Sequence, residues 1–382
     1  MDESKAVDNT VTQQTKLTAC LIVKDEERFL PACLATLSAI ADEIVIIDTG
    51  SSDATREIAS SKGAILYAYA WEDDFAKARN FAIEKATGTH ILMIDADERL
   101  GKDSNEKIRN FLRDYPLSLG QVTIKSPFQQ HDGLTYTASS KVTRLFPNMP
   151  SIHYQGRIHE QILSTDSSLQ TVATGIILEH DGYALSDQVM RDKTKRNLKL
   201  LETELEREPH NAYLHFQLGK TLVADRQLEE ALDHYELALV SAQEQATYRP
   251  ELLMATLYLL KDMKYQDKVW AWVRWGLERY NDYPDLYFFV AKALMEFQVD
   301  NLPMIQQCLE LCISLGDRSE QYPCVDGTGT FLAHFNLGVF YEVQNQWEVA
   351  QNHYQISLDQ GFTPAKAALD RLQSKVLLMK KR

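Results

Sequence analysis

Over residues 17–100, short apolar runs alternate with amphipathic stretches: LTACLIV, LPACLATLSAIA, EIVIID, SDATREIASSKG, AILYAYA, DFAKARNFAIEKATG and HILMID. Strand then helix, repeated without a break, leaves little freedom. Successive strands that run parallel need crossover connections, and the crossover helices cover the sheet. We therefore expect an α/β domain on a mostly parallel sheet. Ser52 or Asp53 suits the start of the second helix and Gly63 its end, and Gly88 is expected to close the third helix in the same way.

After residue 100 the pattern loosens into strand-like pieces, QVTIKSPF, KVTRLF and TVATGIILEH, parted by turn-rich segments such as FPNMP. These read as a mixed or antiparallel extension of the same sheet. From about residue 186 the strands stop and helical periodicity runs to the C-terminus. The expected organisation is a polar, disordered tail at 1–16, an α/β domain at 17–185 and an all-α domain at 186–382.

The helical half repeats itself. HFQLGKTLVADRQLEEALDHYELAL and HFNLGVFYEVQNQWEVAQNHYQISL align almost position for position, Leu218-Gly219 with Leu337-Gly338, Ala231 with Ala350 and Tyr235 with Tyr354. Small residues at Gly219, Ala231, Gly338 and Ala350 allow close helix approach while Leu and Tyr fill the grooves. This pattern resembles the tetratricopeptide repeat. Weaker copies between the two suggest about four helix pairs. Trp270, Trp272 and Trp275 crowd one of them, where inter-repeat packing competes with a peptide- or sugar-binding role.

A chain of 382 residues, 45% hydrophobic and 25% charged, has the composition of an ordinary globular protein with a substantial core. Its formal charge of -14 argues against a nucleic-acid partner, since binding a polyanion calls for an excess of Lys and Arg. Cys20, Cys33, Cys308, Cys312 and Cys324 form no CxxC pair and read as reduced thiols. The opening MDESKAVDNTVTQQTK has no apolar run, and no stretch offers a transmembrane segment. A cytoplasmic protein is expected.

Ligands of open α/β sheets bind beyond the carboxyl ends of the strands, and here those ends are acidic: VKDEE after the first, DTGSSD after the second, DADE after the fourth. On an extended strand Asp95 and Asp97 would point the same way and could hold a hard divalent cation that also takes phosphate oxygens. Arg79, in WEDDFAKARN, adds a fixed positive charge suited to a pyrophosphate. Each has a plainer reading. Asp48 and Asp53 suit turns, Glu26 suits a helix start, Glu98 reads as a solvated neighbour, Arg79 as a surface ion pair, and His159 and His180 as hydrogen-bonding structural histidines.

The segments LIVKDEERFLPACLATL, EIVIIDTGSSDATREIA, WEDDFAKARNFAIEKATGTHILMIDADE and YQGRIHEQI resemble family 2 glycosyltransferases with the GT-A fold, in the bacterial branch that carries C-terminal tetratricopeptide repeats. That resemblance implies a nucleotide-sugar pocket lined by Val23, Glu26, Asp48, Asp53, Arg79 and Asp95. It implies Mn2+ or Mg2+ on Asp97, with Asp95 and His180 as further ligands, and Glu160 as general base beside the catalytic Asp97. The reaction implied is inverting transfer of a hexose or N-acetylhexosamine from a UDP-sugar. The acceptor implied is Cys, Ser or Thr of a peptide or protein, as in relatives that glycosylate bacteriocin precursors, with the helical repeats expected to present it or to form a homodimer. A cell-surface glycan or lipid-linked precursor is the alternative acceptor; a non-catalytic repeat scaffold is the alternative of another class.

Overall fold

The structure is a computed structural model describing residues 15–129, 133–181, 187–298 and 301–380. The expected tail at 1–16 falls almost wholly outside the described residues, as does the expected boundary near residue 186. The chain packs as two compact units, one made of the residues up to Thr123 with Val142–His180, the other of Ile124–Lys141 with the residues from Asp181 onward. Among the described residues no helix is long and apolar enough to cross a membrane.

In the first unit the elements follow the expected alternation: β1 (Leu17–Val23), α1 (Leu30–Leu37), β2 (Glu43–Asp48), α2 (Thr55–Ser61), β3 (Ile65–Ala68), α3 (Phe75–Lys85) and β4 (His90–Met93). Then come β5 (Glu98–Leu100), α4 (Ser104–Asp114), β6 (Ser118–Gln129), β7 (Thr135–Pro147), β8 (Ile152–Gln155), β9 (Gln161–Ser164) and β10 (Gln170–His180), the outer parts of β6 and β7 being counted with the second unit. The sheet order is β3-β2-β1-β4-β7-β6-β10-β5, with β8 and β9 as a separate pair. The β1–β2, β2–β3 and β1–β4 pairs are parallel, while β4–β7 and β5–β10 are antiparallel. Leu17, Ala19, Cys20, Leu21, Val45, Ile46, Ile47, Ile91, Leu92 and Met93 are all buried, as the continuous apolar runs of β1, β2 and β4 require when helices cover both faces.

Two local expectations change. Ala54, not Ser52 or Asp53, stands at the cap position of α2 and makes no side-chain cap bond; the Asp53 carboxylate instead accepts from Thr55 N at 3.0 Å and Thr55 Oγ1 at 2.5 Å. Gly88 is not a helix cap, because α3 has already ended at Lys85 and Ala86 turns extended. Gly88 serves close approach: a Cβ there would lie 2.6 Å from Thr18 Oγ1 and 2.7 Å from the Lys16 carbonyl oxygen. Gly63 does follow α2 with φ +76°, a left-handed turn that favours glycine.

The second unit contains α5 (Asp187–Arg207), α6 (Ala212–Ala224), α7 (Leu228–Ser241), α8 (Arg249–Asp262), α9 (Gln266–Leu277), α10 (Pro284–Phe297) and α11 (Leu302–Leu315). After the short β11 (Cys324–Val325) follow α12 (Phe331–Val343), α13 (Trp347–Asp359) and α14 (Pro364–Lys380). Helices α6–α7, α8–α9, α10–α11 and α12–α13 pack as consecutive hairpins. A Cβ on Gly219 would meet the Tyr235 ring at 2.5 Å, and one on Gly338 the Tyr354 ring at the same 2.5 Å, so the two aligned repeats use one packing device. They also share a histidine contact, His215 Nδ1 to His234 Nδ1 at 2.8 Å and His334 Nδ1 to His353 Nδ1 at 3.0 Å.

In the tryptophan-rich helix Trp272 and Trp275 are half-buried and stand edge-on to each other at 5.4 Å, and Arg249 and Arg279 lie 5.0 and 4.4 Å from the Trp275 ring. Within the same unit β11 adds to the outer part of β7, Cys324 opposite Ser139, and Asp326 accepts from Lys125 Nζ and Ser139 Oγ.

Candidate active site

The parallel register sets Val23 opposite Asp48, so the loops leaving β1 and β2 run side by side. Their carboxylates stitch them together. Asp25 accepts from Ser52 N at 2.7 Å, Glu27 from Ala54 N at 3.0 Å, and Asp53 from Glu27 N at 3.1 Å, while Glu26 N donates to Thr55 Oγ1 at 2.7 Å. The buried Asp48 accepts from Ser51 N at 3.0 Å and faces Arg56 Nε at 3.5 Å. The Val23 carbonyl is taken by Thr49, from its N at 3.0 Å and its Oγ1 at 3.1 Å. Val23, Glu26, Asp48 and Asp53 thus belong to one loop pair at the strand ends.

The fourth strand ends at Met93, before either acidic residue. A turn, not strand alternation, therefore sets the directions of Asp95 and Asp97, and the two carboxylates face different partners. Asp95 Oδ1 accepts from Arg79 Nη2 at 2.9 Å and Asp95 Oδ2 from Arg144 Nη2 at 2.7 Å. Burial pushes the Asp95 carboxyl up, but Arg144 and Arg79 outweigh it and hold the group well below the usual carboxylate range. Arg79 also bonds Glu160 through Nε.

Arg79 is 7% exposed, so it is not a surface ion pair, and Glu98 at 2% exposed is not a solvated neighbour. Glu98 closes the turn by accepting from Asp95 N at 3.0 Å, and it receives Arg144 Nη2 at 3.2 Å. Burial raises its carboxyl above the usual range in spite of Arg144.

Asp97 meets His180, whose Nε2 lies 3.3 Å from Asp97 Oδ2. The contact exists because β10 pairs with β5 and sets His180 opposite Glu98. The hydrogen bond to Asp97 raises the His180 imidazole above its ordinary value, against the pull of burial. A carboxylate oxygen and an imidazole nitrogen this close, neither fully buried, make a donor pair that fits one divalent cation. Among the described residues no group of three His, Cys, Asp or Glu side chains forms a complete cage. A cation that keeps room for phosphate oxygens needs only one or two protein ligands.

Arg144 escaped the sequence reading because nothing near it in KVTRLF marks it as special; only the β4–β7 pairing, Leu92 opposite Leu145, carries it to the DADE turn. Tyr154 and Asn80 were missed for the same reason. Asn80 clamps β8 to α3, donating to the Tyr154 carbonyl at 2.9 Å and accepting from Tyr154 N at 2.8 Å, and the Arg79 guanidinium lies 5.4 Å from the Tyr154 ring centre. The Tyr154 hydroxyl, Arg79 Nη1 and Arg144 Nε are buried and meet no hydrogen-bond partner among the described residues. Burial pushes the Tyr154 phenol up to about 12. His159, beside Glu160, has φ 50°.

Carboxylates, two guanidiniums and a histidine are thus gathered past the strand ends of a mixed α/β sheet, where open α/β folds bind their ligands. Residues 18–170 match the family model described as glycosyl transferase family 2. The chain is 35% identical over 246 residues to a TPR repeat-containing protein of Synechococcus elongatus, covering 62% of this chain and 60% of that relative's length. It is 24% identical over 346 residues to the SPbeta prophage-derived glycosyltransferase SunS of Bacillus subtilis, covering 87% of this chain and 78% of that protein. Among solved structures, S. aureus TarS is similar with a TM-score of 0.33 at 13% identity, over 63% of this chain and 52% of that one.

Proposed function

We propose that the protein is a metal-dependent, inverting glycosyltransferase that moves a hexose or N-acetylhexosamine from a UDP-sugar to Cys, Ser or Thr of a peptide or protein acceptor. The observation that carries this reading is the Asp97–His180 donor pair beside the doubly clamped Asp95, inside a domain of the matching family. Val23, Glu26, Asp48 and Asp53 line the nucleotide side. Asp97 and His180 would hold Mn2+ or Mg2+, while Asp95, expected as a further ligand, has both oxygens engaged by Arg79 and Arg144. A bound cation supplies neutralisation of the charge that grows on the departing diphosphate.

The chain's own residues do the rest. Arg79 and Arg144 supply buried positive charge next to the turn, where a water-poor setting strengthens their pull on a developing anion. Glu160, held by Arg79, accepts the acceptor's proton. Direct displacement at the sugar carbon needs no protein nucleophile. The helical repeats support a polypeptide acceptor, since arrays of this kind present extended surfaces to peptides.

The test is a mass-spectrometric screen of the full chain with Mn2+ or Mg2+, a panel of nucleotide sugars, and peptides containing Cys or Ser. A gain of one hexose or N-acetylhexosamine on a peptide supports the whole reading. Donor hydrolysis without peptide gain moves the acceptor to a glycan or lipid-linked precursor, and no turnover of any donor favours a scaffold.

A further inference from the structure

Three links close a ring around the DADE turn: Asp95 N donates to Glu98 Oε2 at 3.0 Å, Arg144 Nη2 donates to Glu98 Oε1 at 3.2 Å, and the same nitrogen donates to Asp95 Oδ2 at 2.7 Å. The backbone and side chain of Asp95 are thus tied through one buried carboxylate and one buried guanidinium, 2% and 7% exposed. Asp97 lies inside the ring's span of sequence, joined to Glu98 through the backbone, while its carboxylate faces His180. We propose that Glu98 and Arg144 are positioning residues, which set where the Asp97 carboxylate stands for a divalent cation without touching cation or donor themselves.

The chemistry of the ring explains why these two residue types occur. Glu98 accepts on both oxygens, one from a backbone N–H and one from a guanidinium, a pattern that suits a carboxyl group with two acceptor oxygens. Arg144 must carry charge, because it is shared between two carboxylates inside the protein, where neither can stand unpaired. A glutamine at 98 would turn a donor toward one of its partners and open the ring. Partners that orient a metal ligand without binding the metal commonly alter affinity by about 10–100-fold when removed.

The inference rests on the reading of Asp97 as a cation ligand, and the test separates the two. Isothermal titration of the full chain measures UDP binding without metal and Mn2+ binding with UDP present, for the parent, Glu98→Gln and Arg144→Lys; thermal melts report folding. Folded Glu98→Gln is expected to weaken Mn2+ binding by about tenfold or more while metal-free UDP affinity stays near the parent's. Arg144→Lys, which keeps the charge on a shorter side chain, is expected to fall between. A folded variant that binds Mn2+ as the parent does overturns the positioning role, as does a parallel loss of both affinities, which marks a purely structural one. A parent that binds neither UDP nor Mn2+ overturns the functional reading and the inference with it.

Discussion

His180 Nε2 stands 3.3 Å from Asp97 Oδ2 although 83 residues separate them in the chain. Neither residue has a local reason to seek the other. The antiparallel pairing of β10 with β5, His180 opposite Glu98, delivers the imidazole to the turn that holds Asp97. That juxtaposition supports the assignment of both residues to one cation, and mutation of either tests it.

Asp97→Ala is expected to reduce Mn2+-dependent UDP binding at least about 100-fold, since it removes the charged member of the donor pair. The fold should survive, because the Asp97 carboxylate is partly exposed and meets a partly exposed histidine. Calorimetric titration with and without Mn2+ checks the first point and a thermal melt the second.

Glu160→Gln is expected to leave UDP-sugar binding near the parent level and to slow transfer by about 10²–10⁴-fold, the usual range for a lost general base. Steady-state rates on a peptide acceptor decide it. Transfer at the parent rate would show that the Arg79–Glu160 pair serves structure alone.

Gly219→Ala and Gly338→Ala should each destabilise the helical unit by about 1–3 kcal/mol, because the new Cβ would lie 2.5 Å from the Tyr235 or Tyr354 ring. Helix propensity favours Ala by only about 1 kcal/mol. A denaturant midpoint lower than the parent's is the expected result, and an unchanged or raised midpoint contradicts the packing argument.

Asp285 is buried and accepts from Val325 N at 2.7 Å and Thr328 Oγ1 at 2.6 Å, yet burial raises its carboxyl to about 7 from an ordinary value near 3.8. The folded chain therefore binds the extra proton between those two values. Its contribution to stability is greatest below pH 4, falls as pH rises toward 7 and is level above that, with a slope of at most about 1.4 kcal/mol per pH unit. Unfolding curves of the parent and Asp285→Asn across pH 4–8 should converge toward a constant offset only at the alkaline end.

Cys20, Cys33 and Cys312 are fully buried, and burial pushes their thiols far above the ordinary range. A thiol reagent should leave these three unmodified in the native protein and label all five cysteines after denaturation. Mass spectrometry of the labelled peptides reads both states.

Strand and helix alternation, the acidic strand ends and the two matching repeats were legible in the sequence, because each rests on local periodicity or on residues adjacent in the chain. β1, β2, α3 and the Gly219–Tyr235 packing all follow from such patterns. The DADE turn shows the limit. Strand alternation predicts that Asp95 and Asp97 share a face, but β4 stops at Met93. The direction of each carboxylate is then set by charges brought from α3, β7 and β10: Arg79 and Arg144 draw in Asp95, and His180 meets Asp97. Residue types at the strand ends, and the division of the chain into sheet and helix, are written in local order along the chain. Which charges meet is a matter of folding, because buried ions must find partners in space and those partners lie on elements far apart in the chain.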